Sequence, residues 1–476
     1  MIPSCLILVL ATFALGDPPT ASEIVSALES VTIDAIAKAQ PSVVAIARVR
    51  GDEPDKTTAI RGIAPASVLT GLDGRPKRPF NYAPPGDFSS GVVIGADGEI
   101  LTTYHTLLGS SQIWVRSADR QEFEAVILAA DPRSDLAVIA PKYPAAFPLI
   151  KLTPMKLGQA GKMRPGTFLI ALGNPYNAAR DGKASAGWGI LANTVRRIHT
   201  PDGDEGAIRT KFFRYQPTLL QLDAKLNLGM SGGAVVNMKG ELVGLTTAAA
   251  SPMAYDLNAG YAIPMDALGH KIANTLRQGK EVEYGFLGIG LDKESPNTVG
   301  TVGRNTPADR ASLQIGDMIV AVGNRVLDEE DGLTMALAIV SVGEVVKLKI
   351  RRDGKLEDKS ILVSKYPVAG QVIATNRPLP WRGLRVDYSS VLMDNAMIDV
   401  PLNAMSQGSV GIIDVEPGSS SEVAGLRKAQ VISEVDGKPV ANPAAFAKEV
   451  ALKEGKEVML TIQNGSGQAQ IVVVPK

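Results

Sequence analysis

The chain has 476 residues, 45% apolar and 21% charged, with 49 basic and 49 acidic side chains. That length suggests about three domains, and a formal net charge of zero gives no electrostatic reason to expect a nucleic-acid partner. One Cys and three His exclude a disulfide framework and a paired-cysteine zinc site, and argue against a His-rich metal centre; no metal and no organic cofactor is expected.

Residues 1–16 read as an export signal. The apolar run from Cys5 to Leu15 is too short to span a bilayer, and Ala14-Leu15-Gly16 offers a small-residue cleavage site before Asp17. Its removal leaves a mature chain without Cys, suited to an oxidising compartment, so the expected location is the periplasm or cell envelope. Residues 17–39 form an N-terminal helical segment, because Ile24, Val25, Leu28 and Val31 recur at helical spacing between Ser22 and Lys38. A strand begins at Ser42. A long loop rich in Pro, Gly and charge follows, over 51–87.

From Ser90 to Ala262 the pattern is one of short β runs separated by turn residues, which predicts a barrel or sandwich. A helix from Met265 to Leu276, with Gly279 as its end cap, closes a domain spanning 40–280. Beyond it the sequence repeats. Gly316-Asp-Met-Ile-Val-Ala-Val is echoed by Ala429-Gln-Val-Ile-Ser-Glu-Val, and Gly343-Glu-Val-Val-Lys-Leu-Lys-Ile by Gly455-Lys-Glu-Val-Met-Leu-Thr-Ile. The offset from Ile319 to Ile432 equals that from Ile350 to Ile462 within one residue, so two copies of one domain are expected, over 284–366 and 381–476. The Pro-containing stretch 367–380 reads as their linker.

The strongest chemical signal is Gly229-Met-Ser-Gly-Gly. Glycines on both sides of Ser231 allow a sharp turn that exposes its hydroxyl and frees backbone N–H groups for a developing oxyanion. By itself the string fits a glycine-rich turn between strands equally well. His105 ends the β run that starts at Gly98, and Asp135 directly precedes the apolar run Leu-Ala-Val-Ile. The order His, Asp, Ser is that of the chymotrypsin-type triad rather than of subtilisin or the α/β-hydrolases.

The strings Phe88-Ser-Ser-Gly-Val-Val-Ile, Gly98 to His105, Asp131-Pro-Arg-Ser-Asp-Leu-Ala-Val, Leu172-Gly-Asn-Pro-Tyr, Gln221-Leu-Asp-Ala-Lys-Leu-Asn, Gly229-Met-Ser-Gly-Gly, Gly240-Glu-Leu-Val-Gly and Gly260-Tyr-Ala-Ile-Pro stand in one order. Together they resemble the HtrA/DegP-type (high-temperature-requirement) serine proteases over most of residues 40–280. The resemblance implies a mainly β chain: a chymotrypsin-like double β-barrel protease domain, then two PDZ domains, β-rich with short helices. It implies catalysis by His105, Asp135 and Ser231, with the N–H groups of Gly229 and Ser231 as the oxyanion hole. That hole requires the peptide between Gly229 and Met230 to point the right way. Leu228 stands where the family commonly has Pro, and Met230 where it commonly has Asn. The wall Gly244-Leu-Thr-Thr-Ala-Ala-Ala implies a preference for small aliphatic side chains over Lys or Arg, with discrimination of about 1–3 kcal/mol per methylene.

Tyr284-Gly-Phe-Leu-Gly-Ile resembles a PDZ carboxylate-binding loop, which marks Gly285, Phe286, Leu287 and Gly288 as peptide-binding. The second copy begins at Trp381-Arg-Gly-Leu, marking Gly383 and Leu384. It departs at Lys428-Ala-Gln, where Pro-Gly-Asp is usual, and in the longer loop from Ser389 to Val410. The partners implied are unfolded or misfolded proteins at the cleft, peptide C-termini at the PDZ copies, and further copies of the chain, as a trimer or a multiple of one. The competing reading is a protease fold used as a chaperone or scaffold, for which Met230 is the best support.

Other notable residues read as structural. His199 and His270 have no partner motif, Asp131 precedes Pro132 as a turn residue, and Asp223 enters the active-site turn. Trp114 and Trp188 read as core or cleft walls, the cluster at 328–331 as a solvated turn, and Lys225 as open between pocket and solvent.

Overall fold

The computed structural model describes residues 18–50, 87–142, 152–174, 183–194, 219–247, 260–292, 294–295, 297–327, 332–367, 372–394, 409–464 and 467–475. The export signal, most of the 51–87 loop, His199 and the 328–331 cluster lie outside the described residues.

Helix α1, Ala21–Ala39, starts where Thr20 and Glu23 form a capping box. The Thr20 hydroxyl accepts from the Glu23 N–H at 3.3 Å, and the Glu23 carboxylate accepts from the Thr20 N–H at 2.7 Å. Two otherwise unpaired donors are thereby satisfied. The helix buries Ala35 and Ala39 and leaves Ile24, Val25 and Val31 exposed.

Six antiparallel strands form the first barrel: β1 Val43–Arg50, β2 Phe88–Val93, β3 Ile100–Thr103, β4 Ser110–Arg116, β5 Glu122–Asp131 and β6 Leu136–Pro141. The order β4-β1-β2-β3-β6-β5 closes because β5 pairs with both β6 and β4. Six more form the second barrel: β7 Phe168–Gly173, β8 Ser185–Asn193, β9 Leu220–Leu222, β10 Ala234–Val236, β11 Leu242–Thr246 and β12 Gly260–Pro264. They close in the order β10-β11-β12-β9-β8-β7. Helix α2, Ala267–Arg277, is capped by the Asp266 side chain and packs on β5 and β6 of the first barrel. One core runs through both barrels and α2, with Val92, Leu101 and Val138 from the first, Ile170, Leu172 and Leu245 from the second, and Ile272 and Leu276 from the helix. Each large side chain fully buried there contributes about 1.5–3 kcal/mol.

The two repeats follow. The first holds β13 Gly285–Phe286, β14 Ile289–Leu291, β15 Val299–Val302, α3 Pro307–Arg310, β16 Met318–Val322, β17 Arg325–Val326, α4 Gly332–Ile339, β18 Val345–Arg352, β19 Lys355–Leu362 and β20 Ser364–Lys365. After the short strand β21, Ile373–Ala374, the second holds β22 Leu384–Tyr388, β23 Val410–Val415, α5 Ser420–Val423, β24 Val431–Val435, β25 Lys438–Pro439, α6 Pro443–Ala451, β26 Val458–Asn464 and β27 Gly467–Val473. The repeat extends to register. Ile319 faces Ile350 in the first copy and Ile432 faces Ile462 in the second, each followed by a bulge. Gly288 and Gly383 also match, at φ +80° and +81°. A Cβ at either would run into the helix-capping residue beside it, Thr306 or Ser419, so neither position admits a side chain.

Within the stretch read as a linker, β21 adds to the first barrel by pairing with β5, Ile373 opposite Ala130 and Ala374 opposite Ala129. The Thr375 N–H donates to Leu128 O at 2.9 Å, and the Asn376 N–H to Gly279 O at 2.8 Å. Two residues without a sustained period carry no strand signal in sequence; the edge of β5 supplies it.

Candidate active site

His105 begins a turn of 3-10 helix just after β3, and Asp135 sits just before β6. β3 and β6 are neighbours, with Thr103 opposite Leu136, so the ladder carries the two residues to one end of the barrel. Asp135 has φ +54°, a conformation that Asp tolerates better than most residues. From there its carboxylate receives two donors. The His105 N–H reaches Oδ1 at 2.8 Å, and Oδ2 lies 2.6 Å from His105 Nδ1. Asp135 is fully buried and the His105 side chain is 17% exposed. With Nδ1 donating to the carboxylate, Nε2 is left as the basic nitrogen. Burial, and next the Asp135 charge, push the neighbouring Tyr104 phenol up.

Ser231 lies on the opposite barrel, in the loop before β10, and is buried. The loop turns at Asn227–Met230, closed by the Met230 N–H on Asn227 O at 3.1 Å. Gly229 occupies the third position at φ +91°, while Leu228 keeps a negative φ. That combination is a type II turn, which requires positive φ at its third residue and hence favours Gly.

Met230 is buried against Gly173, and its thioether accepts from the Asn227 N–H at 3.4 Å. Its carbonyl takes the Gly233 N–H at 2.9 Å and the Thr246 hydroxyl. The side chain that departs from the family pattern thus caps the turn from within.

Ser90, Thr102, Asn174 and Thr246, to which sequence reasoning gave no role of their own, hold this turn, and Ser90 ties it across the two barrels. Fully buried Ser90 of β2 donates its hydroxyl to Gly229 O at 2.8 Å and accepts from the Asn174 N–H at 2.9 Å. Its backbone N–H donates to Ser231 O at 2.8 Å, and its carbonyl accepts the Thr102 hydroxyl at 2.7 Å. Gly232 at φ +82° packs so closely on Ser90 O and Thr102 Oγ1 that a Cβ would collide with both. Asn174 and Thr246 hold the flanks. The available signal was the string Phe88-Ser-Ser-Gly, but a buried Ser reads locally like any loop Ser.

The remaining sequence candidates fall out differently. Gly285 and Phe286 pair with β20, and Gly285 to Gly288 line a cavity between the first repeat and the double-barrel domain. In the second repeat, Trp381 and Leu384 exchange backbone hydrogen bonds at 2.9 and 2.8 Å, so the Leu384 N–H is engaged within its own loop. Trp381 stands edge-on to Phe446 at 5.8 Å, and Arg382 covers the Trp381 ring.

Asp131 is more than a turn residue. It is buried and accepts from the Ser134 N–H at 3.1 Å and from the Tyr284 hydroxyl of the first repeat. Burial raises its pKa, against the pull of those donors and of Arg133. Trp188, read as a core or cleft wall, is instead 51% exposed and lies beside Phe168 at 5.1 Å. Trp114 is half-buried, Asp223 and Lys225 are exposed, and a ring nitrogen of His270 lies 2.7 Å from Gly158 O.

A family model described as a trypsin-like peptidase domain matches residues 89–245, and PDZ-domain models match 285–363 and 411–464. Among curated relatives, a probable periplasmic serine endoprotease DegP-like of Ectopseudomonas mendocina (strain ymp) is 26% identical over 372 residues, covering 75% of this chain and 73% of the relative. A protein of the same description from Chlamydia trachomatis serovar D is 27% identical over 390 residues, covering 79% and 72%. Among solved structures, an HtrA-type protease, AlgW with tripeptide, superposes with a TM-score of 0.51 at 23% identity, over 71% of this chain and 98% of that one, which is a likeness of fold.

Proposed function

We propose, for a chain that is a trypsin-like serine endopeptidase followed by two PDZ domains in the HtrA arrangement, that it cuts unfolded or misfolded proteins as an exported enzyme of protein quality control. Its compartment is the periplasm, the one in the names of the relatives. The observation that carries the reading is the buried Asp135 carboxylate holding His105 at 2.6 Å, with the glycine turn at Ser231 tied across the barrels by Ser90.

In this reading Ser231 Oγ attacks the scissile carbonyl carbon while His105 Nε2 takes its proton. His105 then returns the proton to the departing amine as the C–N bond breaks, leaving an acyl-enzyme that water hydrolyses by the same exchange. Asp135 keeps Nδ1–H pointed inward and stabilises the imidazolium. The N–H groups of Gly229 and Ser231 receive the oxyanion, an interaction whose donors are typically worth about 3–4 kcal/mol each. The small residues after Gly244 favour aliphatic side chains at the cut. Unfolded chains suit such a cleft because it needs an extended segment that folded domains seldom offer. The first PDZ domain takes peptide C-termini, and the chain assembles with its own copies.

The test is cleavage of unfolded casein by the full chain beside Ser231→Ala. Cleavage by the parent alone is expected. Equal cleavage by both would remove Ser231 as nucleophile, and no cleavage by folded parent would favour a binding protein built on a protease fold.

A further inference from the structure

A cavity of about 240 Å³ lies where the first PDZ domain meets the peptidase, and its walls come from both. The PDZ domain supplies Leu287 from the loop and Leu333 and Leu337 from α4. The peptidase supplies Leu268 and Ile272 from α2, and Arg133 from the loop that leads to Asp135. Three observations make this a built site.

The wall spacing is fixed. Lys271 of α2 donates to Ala338 O at 2.8 Å and to Ile339 O and Val340 O at 3.4 and 3.3 Å, so a cation caps the C-terminal end of α4. Most of the lining is apolar, with Ile289 and Ala338 beside the leucines and Ile272. The Arg133 guanidinium, on a residue only 8% exposed, lies over the rings of Tyr284 and Tyr366, 4.5 and 4.4 Å from their centroids. It donates to Pro367 O at 3.2 Å. A cation so held in the wall of a mostly apolar cavity favours a ligand that is apolar with one anionic end.

We infer that the last residue of a bound peptide is read by both domains together. Its large apolar side chain sits between α4 of the PDZ domain and α2 of the peptidase, and Arg133 of the peptidase provides the positive charge facing its carboxylate. This rests on the reading that the first PDZ domain binds C-termini, and adds that Leu268, Ile272 and Arg133, outside that domain, determine which C-termini bind.

The test measures binding of fluorescent decapeptides to the full chain carrying Ser231→Ala, which prevents their cleavage. The peptides end in Val, Leu, Phe or Trp, each as free acid and as amide. Leu268→Ala should shift the ranking towards the larger ends, with Trp gaining on Leu on the order of tenfold. Leu268→Val is the gentler version should the Ala variant not fold. Arg133→Gln should lower the ratio of free-acid to amide affinity about fivefold or more. A parent that binds free acids while both Leu268 variants keep its ranking, and Arg133→Gln its acid-to-amide ratio, would overturn the inference and leave C-terminus binding intact. A folded parent that binds none of the peptides would overturn that underlying reading, and the inference with it.

Discussion

Replacing Ser90 with Ala removes two hydrogen bonds at once, the donor to Gly229 O and the acceptor for the Asn174 N–H. Gly229 O is then left buried without that donor, a cost of about 1–3 kcal/mol before relaxation. The peptide that follows Gly229 loses its tether to β2. Ser90→Ala should therefore lower kcat about tenfold or more with KM little changed, because an oxyanion site out of position weakens the transition state more than the ground state. A proportionate rise in KM at constant kcat would assign Ser90 to substrate binding instead.

Asp131 is a second residue with a measurable signature. Burial holds its folded pKa above the ordinary 3.8. A group raised in the folded state contributes fully below its unfolded pKa, and that contribution is lost as pH rises through the folded value. Asp131→Asn keeps an acceptor for Tyr284 and Ser134, so stability should fall less steeply with rising pH above 3.8 than in the parent. Parallel unfolding curves across that range would contradict the assignment. Neither residue's importance was legible in sequence. The Ser90–Gly229 bond spans 139 positions, and Asp131-Pro carries a sound local turn signal that hides a tertiary contact. His105 and Asp135 could be singled out because one ends and the other precedes an apolar run, and Ser231 because glycines flank it, signals that local pattern does reveal.

At the scale of elements, β21 pairs with β5 a few residues before Asp135. Thr375→Pro deletes the N–H that donates to Leu128 O at 2.9 Å. The strap should then release, and amides from Ala129 to Asp135 should exchange faster with solvent, with casein cleavage falling severalfold. Unchanged exchange there would mean that β5 holds its end without the strap. The strands β16, β18, β24 and β26 were foreseeable from the two pairs of matching strings and their common offset. A two-residue strand has too few positions to show a period, and only the free edge beside it decides its conformation.

Across the whole molecule, one side chain joins the first and second PDZ domains to the segment that follows α2 of the peptidase. Lys365 is 2% exposed and meets Asp387 at 2.7 Å, Glu281 at 2.9 Å and Glu283 at 3.5 Å. Asp387 lies on β22, whereas Glu281 and Glu283 follow α2. Although burial opposes its charge, the three carboxylates raise the Lys365 pKa far above 10.5. Its contribution is therefore complete below pH 10.5 and is lost only as pH rises through the folded value. Lys365→Met leaves three carboxylates without their cation, which should cost about 3–5 kcal/mol. Limited proteolysis should then separate the second PDZ domain earlier than in the parent, and an unchanged digestion pattern would show that the ion cluster is not what joins the domains. The order of the domains was readable from the repeat, but their junction was not, since its four charges come from three separated segments.

The proposed chemistry rests on Ser231 being activated by a histidine held on a buried carboxylate. The most direct measurement is stoichiometric labelling of the folded full chain with a fluorophosphonate, which reacts only with an activated serine. One label per chain is expected in the parent, none in Ser231→Ala, and labelling slowed by at least about a hundredfold in His105→Ala. A parent that stays unlabelled while folded, or a Ser231→Ala chain labelled as fast as the parent, would contradict it.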